Sequence, residues 1–207
     1  MDLRLAITRA LLEILKRHDP ELYAHSLRVT EYSLQMAAHL EMSQNSVTML
    51  YYSALLHDAG KLFIDPQILN KPAPLTSRET EIVRNHVQLP VINQFRQFKK
   101  IARAIKHHHE WYNGRGYPDG LHGKEIPLES RILAVADAMD AMMSKRPYRD
   151  AIGLSEAVAE IKKCSGTQFD PELASAFCSI IEVPRDGREL LAQVPQAANL
   201  CIEQSER

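Results

Sequence analysis

The chain has 207 residues, of which 45% are hydrophobic and 25% are charged, as in ordinary soluble globular proteins. Its 25 lysines and arginines balance 26 aspartates and glutamates, so the overall charge favours neither a polymeric nucleic acid nor a membrane as partner. No apolar run approaches the roughly 20 residues that span a bilayer, and the N-terminus leads into no signal-peptide core, which predicts a cytoplasmic protein.

The first 60 residues carry the signals of three amphipathic helices. Apolar residues at three- and four-residue spacing predict a helix over 3–18. Asp19 as N-cap and Pro20 at the first helical position begin a second helix, and Ser43 can cap a third. Gly60 suits a C-terminal cap, which predicts that the third helix ends there.

Helical signals continue through the rest of the chain. Thr76 and Glu79 form a capping box that begins a helix reaching about His86. Ser155 can cap a helix to about residue 164, and Asp170 caps another to about residue 181. A short helical turn is predicted at 65–66, and further helices over about 90–95, 98–108 and 126–143.

The organisation that these elements predict is an all-α fold with a single domain, because no stretch keeps the two-residue alternation of a β-strand. From Val183 onward the periodicity is weak, and we expect a tail of short helix or disorder over 183–207. The odd number of cysteines, without ligand spacing, predicts reduced packing residues rather than a disulfide framework: Cys164, Cys178 and Cys201.

Histidines and carboxylates recur at predicted helix ends and inner faces. Glu21 and His25 are four residues apart, hence on one face of a helix. Asp137 stands among apolar residues, where a buried carboxylate needs a partner, and a cation is a natural one. The other candidate ligands lie at helix ends or just before a glycine-rich loop: His57, Asp58, His86, His108 and His109.

Each of these residues, taken singly, has an ordinary alternative. A glutamate–histidine pair at four-residue spacing is common by chance, and Asp137 could pair with Arg131. The coincidence of several ligand types favours a metal site over these alternatives. We assign four other histidines to solvated positions: His18, His39, His107 and His122.

Three motifs follow one another along the chain: His57-Asp58-Ala59-Gly60-Lys61, His108-His109-Glu110 and Gly116-Tyr117-Pro118. Together they resemble the HD-GYP family, a branch of the HD metal-dependent phosphohydrolases. The resemblance runs from about Glu21 to Phe177 and implies an HD-type helical domain over 21–182, with the additional C-terminal helices of HD-GYP proteins. A helix at 1–20 would precede it. Further matching segments are His25-Ser26-Leu27-Arg28-Val29, 131–137, Arg146-Pro147-Tyr148-Arg149 and 166–171.

The resemblance also implies a role for each matching residue. Glu21 matches the extra carboxylate of members that hold a third metal, and Lys61 matches a lysine beside the scissile phosphate. Arg146 and Arg149 match the basic residues that hold the nucleotide's phosphates. Asp58 and Lys61 are the expected catalytic residues. Metal ligands are implied at His25, His57, Asp58, His86, His108, His109 and Asp137.

The chemistry of this donor set is consistent with the implied site. Imidazoles mixed with carboxylates suit octahedral iron, or manganese, better than a closed tetrahedral zinc site. We expect two or three divalent transition metals, iron first, with Asp58 as the bridging carboxylate. Two such ions lower the pKa of a water and clamp both oxygens of an in-line displacement. Lys61 could neutralise transition-state charge or protonate the departing ribose oxygen.

The activity that the resemblance implies is hydrolysis of the bacterial messenger cyclic di-GMP to the linear dinucleotide pGpG, and onward to GMP as the family can. Two alternatives stay open. One is a non-catalytic module that binds the nucleotide, or binds a signalling protein through the Gly116-Tyr117-Pro118 loop. The other is an HD phosphohydrolase of another nucleotide, such as cyclic GMP–AMP, because we identify no residue that reads the base.

The chain departs from the family pattern at two positions. Asn113 replaces an aspartate before the loop glycine, which weakens a contact around the metal ligands. Pro90 stands where glycine is usual, four residues after His86, and fixes a backbone angle that glycine leaves free. Neither removes a ligand, and both bear on the turnover rate. Family members usually carry a sensory or receiver domain ahead of the catalytic one, so a free-standing enzyme, a fragment and a partner-regulated subunit all stay open.

Overall fold

Ten α-helices, joined by short 3₁₀ turns and loops, make up the residues that this computed structural model describes, 3–145 and 150–181. The described residues contain no β-strand, only two isolated bridges, so the predicted all-α fold is confirmed. In chain order the helices are α1 (Leu3–His18), α2 (Pro20–His39), α3 (Gln44–Leu56), α4 (Pro66–Leu69), α5 (Ser77–Arg84), α6 (Pro90–Asn93), α7 (Lys99–Lys106), α8 (Leu128–Met143), α9 (Leu154–Lys163) and α10 (Pro171–Ile181).

Local capping signals begin several helices where the sequence predicts them. Asp19 accepts a hydrogen bond from a first-turn amide of α2 at 2.9 Å, and Ser43 accepts one at the start of α3. Thr76 and Glu79 form both bonds of the capping box that begins α5. Asp170 accepts a first-turn amide of α10 at 2.9 Å. These side chains satisfy amide groups that a helix N-terminus otherwise leaves without partners.

Two predicted helix boundaries are wrong. Gly60 is not a C-terminal cap, because α3 ends earlier and the chain continues into a 3₁₀ turn over Ala59–Phe63 that contains Gly60. Ser155 is not an N-cap, because α9 begins one residue before it. The extended Gly153 takes the capping position, and its carbonyl accepts the first amide hydrogen bonds of the helix.

Helices α2 and α3 form the centre of the fold, because they pack against each other and belong to both hydrophobic clusters. The first cluster joins them to α8, α9 and α10 through side chains such as Met139 and Phe177. The second joins them to α1 and α7 through side chains such as Leu15 and Ile101. Each large apolar side chain that is fully buried contributes about 1.5–3 kcal/mol. The helices that carry His25 and Asp137, α2 and α8, are therefore anchored in the core.

Several sequence-based predictions concern residues outside the described ranges: Arg146, Arg149, Cys201 and the tail 183–207. Within those ranges, Cys178 is buried in the first hydrophobic cluster and Cys164 packs against that cluster, so both are packing residues, as predicted. No described helix combines the length and the apolar character needed to cross a membrane.

Candidate metal centre

Seven of the eight predicted metal ligands lie together, although they come from distant segments of the chain. Their donor atoms form three overlapping groups, and within each group all donor atoms lie within 4.8 Å of one another. The ligands are His25 on α2, His57 and Asp58 after α3, His86 after α5, His108 and His109 after α7, and Asp137 on α8.

Asp58 belongs to two of these groups. Its Oδ1 atom lies 3.3 Å from Nε2 of His86, in the group that also contains His108 and His109. Its Oδ2 atom lies 3.5 Å from Nε2 of His25 and equally far from Nε2 of His57. The two carboxylate oxygens therefore face different histidines, as a bridging carboxylate requires.

The close approach of two ligand-bearing segments depends on Gly60. A Cβ atom at this position would lie 1.9 Å from the carbonyl oxygen of His86, a distance that real Cβ atoms do not show. The turn that follows Asp58 thus packs directly on the backbone that carries His86. Only glycine fits at residue 60 because of this contact, so its role is close packing rather than helix capping.

Backbone carbonyls orient three of the histidines. The Nδ1 atoms of His57, His86 and His108 lie 2.8, 2.6 and 2.6 Å from the carbonyl oxygen three residues earlier. An Nδ1 that donates to a carbonyl leaves Nε2 with its lone pair, the form that binds a metal. Nε2 of His108 is buried and has no hydrogen-bond partner among the described residues. Lone pairs that converge beside two carboxylates fit a divalent cation.

Both carboxylates of the cluster are held in the ionised form. Burial by itself would raise the pKa of Asp58, but the charge of Lys61, with the neighbouring ring of His57 and the hydrogen bond of His25, outweighs burial and holds this pKa well below its usual range. Burial would also raise the pKa of Asp137. The hydrogen bond with His25 is the chief effect that outweighs burial, and the pKa of Asp137 is lowered. Two negative charges therefore face the imidazoles.

The imidazoles divide into two kinds. Burial lowers the pKa of His86 and of His108, and it lowers the pKa of His109 to about 4, so these rings are neutral near pH 7. Burial also lowers the pKa of His25, but hydrogen bonds with carboxylates, chiefly Asp137 and Asp140, outweigh it and raise the pKa to about 11. His25 is thus protonated in the metal-free protein, and a metal would displace that proton.

The sequence reasoning missed a carboxylate and an arginine behind His25. Oδ2 of the buried Asp140 lies 2.7 Å from Nδ1 of His25, and Nε of Arg28 lies 2.6 Å from Oδ1 of Asp140. A signal existed: Asp140 follows Asp137 by three residues and Arg28 follows His25 by three, so each shares a helix face with a ligand. A carboxylate behind a ligating histidine fixes the orientation of its ring.

The prediction that His107 lies at a solvated helix end is wrong. His107 is only 6% exposed, and its Nε2 atom lies 3.0 Å from a carboxylate oxygen of Asp119. Asp119 also pairs with Lys106, so the glycine loop is tied back over the end of α7. The other three histidines assigned to solvated positions are exposed as predicted: His18, His39 and His122.

The remaining predicted site residues differ in where they lie. Nζ of Lys61 is 2.6 Å from Oδ2 of Asp58, directly beside the cluster. Glu21 lies outside the cluster: its side chain is 73% exposed, and its Oε1 atom is 3.0 Å from Nη2 of Arg28. A role of Glu21 as ligand of a third metal stays a prediction. Arg146 and Arg149 lie outside the described residues.

The glycine loop reaches the histidines through Tyr117. The ring centres of Tyr117 and His109 are 5.0 Å apart with 29° between the ring planes, and the amide of Tyr117 donates to the carbonyl of His109. The adjacent Gly116 makes this possible, because a Cβ atom there would lie 2.2 Å from the backbone nitrogen of Trp111. The guanidinium carbon of Arg84 lies 4.9 Å from the centre of the Tyr117 ring.

The two departures from the family pattern lie in the glycine loop and at the start of α6. The side chain of Asn113 accepts a hydrogen bond from the amide of Arg115 at 3.1 Å, within the glycine loop. Pro90 is the first residue of α6. An amide at this position has no acceptor within the helix, so proline loses no helical hydrogen bond there. The ring of His86 keeps its contact with a backbone carbonyl, so the described structure retains this ligand's orientation.

Comparison with known families assigns the fold that holds this cluster. A model of the HD domain family matches residues 9–173. The chain belongs to the HD domain family. This confirms the family predicted from the motifs.

Curated relatives of this HD domain are phosphodiesterases by name. It is 40% identical over 167 residues to the cyclic di-GMP phosphodiesterase of Thermotoga maritima, covering 78% of this chain and 45% of that protein. It is 39% identical to the cyclic di-GMP phosphodiesterase response regulator RpfG of Xanthomonas campestris, covering 72% and 41%. A 3′3′-cGAMP-specific phosphodiesterase of Vibrio cholerae is 37% identical, with 83% and 38% covered. The chain spans less than half the length of these relatives.

Solved structures share the fold. A cyclic GMP-AMP-specific phosphodiesterase of Vibrio cholerae superposes with a TM-score of 0.65 at 22% identity, covering 95% of this chain and 54% of that one. The HD domain of the phosphodiesterase PgpH of Listeria monocytogenes gives a TM-score of 0.58 at 14% identity, covering 83% and 94%. At these identities the likeness shows the HD fold alone.

Proposed function

We propose that this HD domain is a metal-dependent phosphodiesterase that hydrolyses cyclic di-GMP to pGpG, and pGpG onward to GMP. The observation that carries the proposal is the position of Asp58, whose two oxygens face separate groups of histidines. This arrangement suits two cations held side by side at a phosphodiester. Two relatives at 39–40% identity that are named cyclic di-GMP phosphodiesterases support the substrate.

The ligand groups suggest how the metals would be held. One ion would lie among Asp58, His86, His108 and His109, and the other beside His25, His57, Asp58 and Asp137. We propose iron, with manganese as the alternative, because the set mixes imidazole and carboxylate donors. A third ion would use Glu21. Bound divalent metals would supply positive charge that polarises the phosphodiester and lowers the pKa of a water molecule.

Lys61 is proposed to act on the substrate directly. Its ammonium group contacts Asp58, so a phosphate bound at the cluster would lie within its reach. The ammonium can neutralise charge that develops in the transition state, or give a proton to the departing ribose oxygen. Arg146 and Arg149 are proposed to hold the phosphates, since planar guanidinium groups match phosphate oxygens in pairs.

A second candidate substrate is 3′3′-cyclic GMP–AMP. The observation that favours it is the 37% identity, over 83% of this chain, to a phosphodiesterase named as specific for that molecule. The phosphodiester groups of the two cyclic dinucleotides are the same, so the residues discussed above would serve both. Discrimination would depend on contacts to the second base.

Two further expectations belong with this proposal. The odd number of cysteines, without ligand spacing, favours the cytoplasm as the compartment of the reaction. A signalling protein that contacts the Gly116-Tyr117-Pro118 loop stays a prediction, and neither a polymeric nucleic acid nor a membrane is expected as partner.

A product assay tests the proposal. Protein purified without oxygen and reconstituted with iron(II) or manganese(II) is incubated in parallel with cyclic di-GMP and with 3′3′-cyclic GMP–AMP, and products are separated by chromatography. We expect pGpG from cyclic di-GMP. Faster turnover of the hybrid nucleotide would support the second candidate instead. If metal-loaded protein leaves both molecules intact, the proposal is wrong.

A further inference from the structure

We propose that Arg84, held against Tyr117, binds the second phosphate of the cyclic dinucleotide, the one that is not cleaved. This inference rests on the proposed function. Lys61, Arg146 and Arg149 are already proposed to contact phosphate. The inference adds a further phosphate contact on the side of the metal centre that the end of α5 and the glycine loop form.

The position of Arg84 is set by a stack of side chains that begins at the metal centre. The Tyr117 ring lies almost parallel to the ring of His109, a predicted ligand, with 5.0 Å between ring centres. The guanidinium carbon of Arg84 lies 4.9 Å from the centre of the Tyr117 ring. Arg84 is the last residue of α5, two residues before the ligand His86, so its backbone is also tied to the site.

The platform under Arg84 is well anchored. Gly116 packs so tightly that a Cβ atom would lie 2.2 Å from the Trp111 nitrogen and 2.5 Å from Cα of Glu110. The amide of Tyr117 donates to the carbonyl of His109. Because the loop is held in this way, the Tyr117 ring keeps its place and Arg84 stacks on a fixed surface.

The contact with Tyr117 leaves N–H groups of the Arg84 guanidinium available for a ligand. A guanidinium contacts an aromatic ring through its face, whereas its five N–H groups lie in its own plane. Arg84 is exposed, and within residues 3–145 and 150–181 no carboxylate forms an ion pair with it. By contrast, the guanidinium groups of Arg28 and Arg131 bind Asp140 and Asp170. Arg84 therefore offers a positive charge and several donors beside the metal centre.

The shape of the substrate makes use of such a group. A cyclic dinucleotide carries two phosphates, one nucleotide apart. If the scissile phosphate lies at Asp58 and Lys61, the second phosphate must lie to one side of the metal centre. Arg84 and His109 both contact the Tyr117 ring, which places the donors of Arg84 near the cluster rather than in it. A guanidinium in this position grips phosphate oxygens in pairs.

The alternative role for Arg84 is purely structural, in which it only supports Tyr117. A substrate with one phosphate separates the two roles. Bis(p-nitrophenyl) phosphate is a diester that can occupy the scissile position but has no second phosphate. A structural role of Arg84 affects both substrates alike, whereas a second-phosphate contact affects cyclic di-GMP alone.

The experiment measures kcat/KM for both substrates with metal-loaded protein. Arg84→Ala should lower the ratio of cyclic di-GMP to bis(p-nitrophenyl) phosphate activity by about 10- to 100-fold, mostly through KM, as expected for a hydrogen bond to a charged group. Arg84→Lys keeps the positive charge but lacks the paired N–H donors of a guanidinium. It should give a ratio of the two kcat/KM values between those of the parent and Arg84→Ala. Arg78→Ala on the same helix, also exposed, is the matched control and should leave the ratio unchanged.

The outcomes separate this inference from the proposed function. If the parent protein hydrolyses cyclic di-GMP and the ratio is the same in parent and Arg84→Ala, Arg84 does not bind the second phosphate. Equal losses on both substrates assign Arg84 a structural role and also overturn the inference. If the parent cleaves only the one-phosphate diester, the proposed substrate is wrong and the inference falls with it.

Discussion

Nδ1 of His25 lies 2.7 Å from Oδ2 of Asp140, while Nε2 of the same ring faces the metal-centre carboxylate Asp137 at 3.2 Å. One nitrogen is thus bound by a carboxylate outside the cluster and the other is directed into it. Asp140 also accepts from Arg28, which fixes the carboxylate itself. The orientation of His25 is therefore set by contacts between α2 and α8.

Replacing Asp140 by asparagine should weaken metal binding. The amide keeps the shape of the side chain but removes the charge that holds the His25 ring, and such outer carboxylates are typically worth 10- to 100-fold in metal affinity. We expect a loss of about tenfold or more in a manganese(II) titration. Asp150→Asn, with a side chain that is 91% exposed, is the control and should bind as the parent does. Equal affinities for the parent and Asp140→Asn would contradict the orienting role.

Glu21→Ala should lower the metal content from three ions per chain to two, with a partial fall in activity. In the structure the carboxylate of Glu21 pairs with Arg28, but an exposed ion pair of this kind contributes only about 0–1 kcal/mol. A metal can therefore attract the carboxylate at little cost. Elemental analysis decides, with Glu31→Ala, an exposed glutamate of the same helix, as the control. Two ions per chain in both the parent and Glu21→Ala would remove Glu21 from the ligand set.

Gly60→Ala should destabilise the protein and disturb His86. The added methyl would lie 1.9 Å from the His86 carbonyl oxygen, so backbone must move. Overpacking of this kind costs about 1–3 kcal/mol. We expect a fall in melting temperature of about 2–12 °C, based on about 2–4 °C per kcal/mol for a chain of this size. Gly153→Ala, where nothing lies within 4 Å of the new Cβ atom, should cost less than about 1 kcal/mol. Equal melting temperatures for the two variants would contradict the close approach.

The metal-free protein should be most stable near pH 6.5. His109 has a folded pKa of about 4, below its usual value, so the unfolded chain takes up the proton first and stability falls as pH drops from about 6.5 to 4. His25 has a folded pKa of about 11, so the stability it contributes is complete below about pH 6.5 and is lost as pH rises toward 11. Melting temperatures from pH 5 to 9 should therefore pass through a maximum. His25→Gln should reduce the fall on the alkaline side, and an unchanged alkaline slope would contradict the assignment.

Local signals in the sequence were enough to predict most helices. Asp19, Ser43, Thr76 and Asp170 cap helices through hydrogen bonds to residues two or three positions away, so their effect is visible in a short stretch of sequence. The proximity of the candidate ligands could be predicted for a different reason. The motifs that carry it occur in an order that resembles a known family, and seven of the eight predicted ligands lie together in the structure.

Apart from the Ser155 cap, whose place Gly153 takes, the predictions that were wrong or incomplete concern contacts between distant segments. The role of Gly60 depends on His86, and that of Asp140 depends on Arg28 and His25 across two helices. His107 is buried because the glycine loop folds back and places Asp119 against it. Periodicity and capping describe one element at a time, so none of these contacts can be read from them.

The central claim is that the cluster around Asp58 holds at least two metals and hydrolyses cyclic di-GMP with them. Metal-free protein can be titrated with iron(II) or manganese(II) without oxygen, while bound metal and pGpG formation are measured on the same samples. We predict that pGpG formation rises as the content passes from one metal to two per chain. Asp58→Ala should bind fewer metals and form no pGpG, while its helical circular dichroism signal stays that of the parent. Parental pGpG formation by Asp58→Ala, or by protein with less than one metal per chain, would contradict the account.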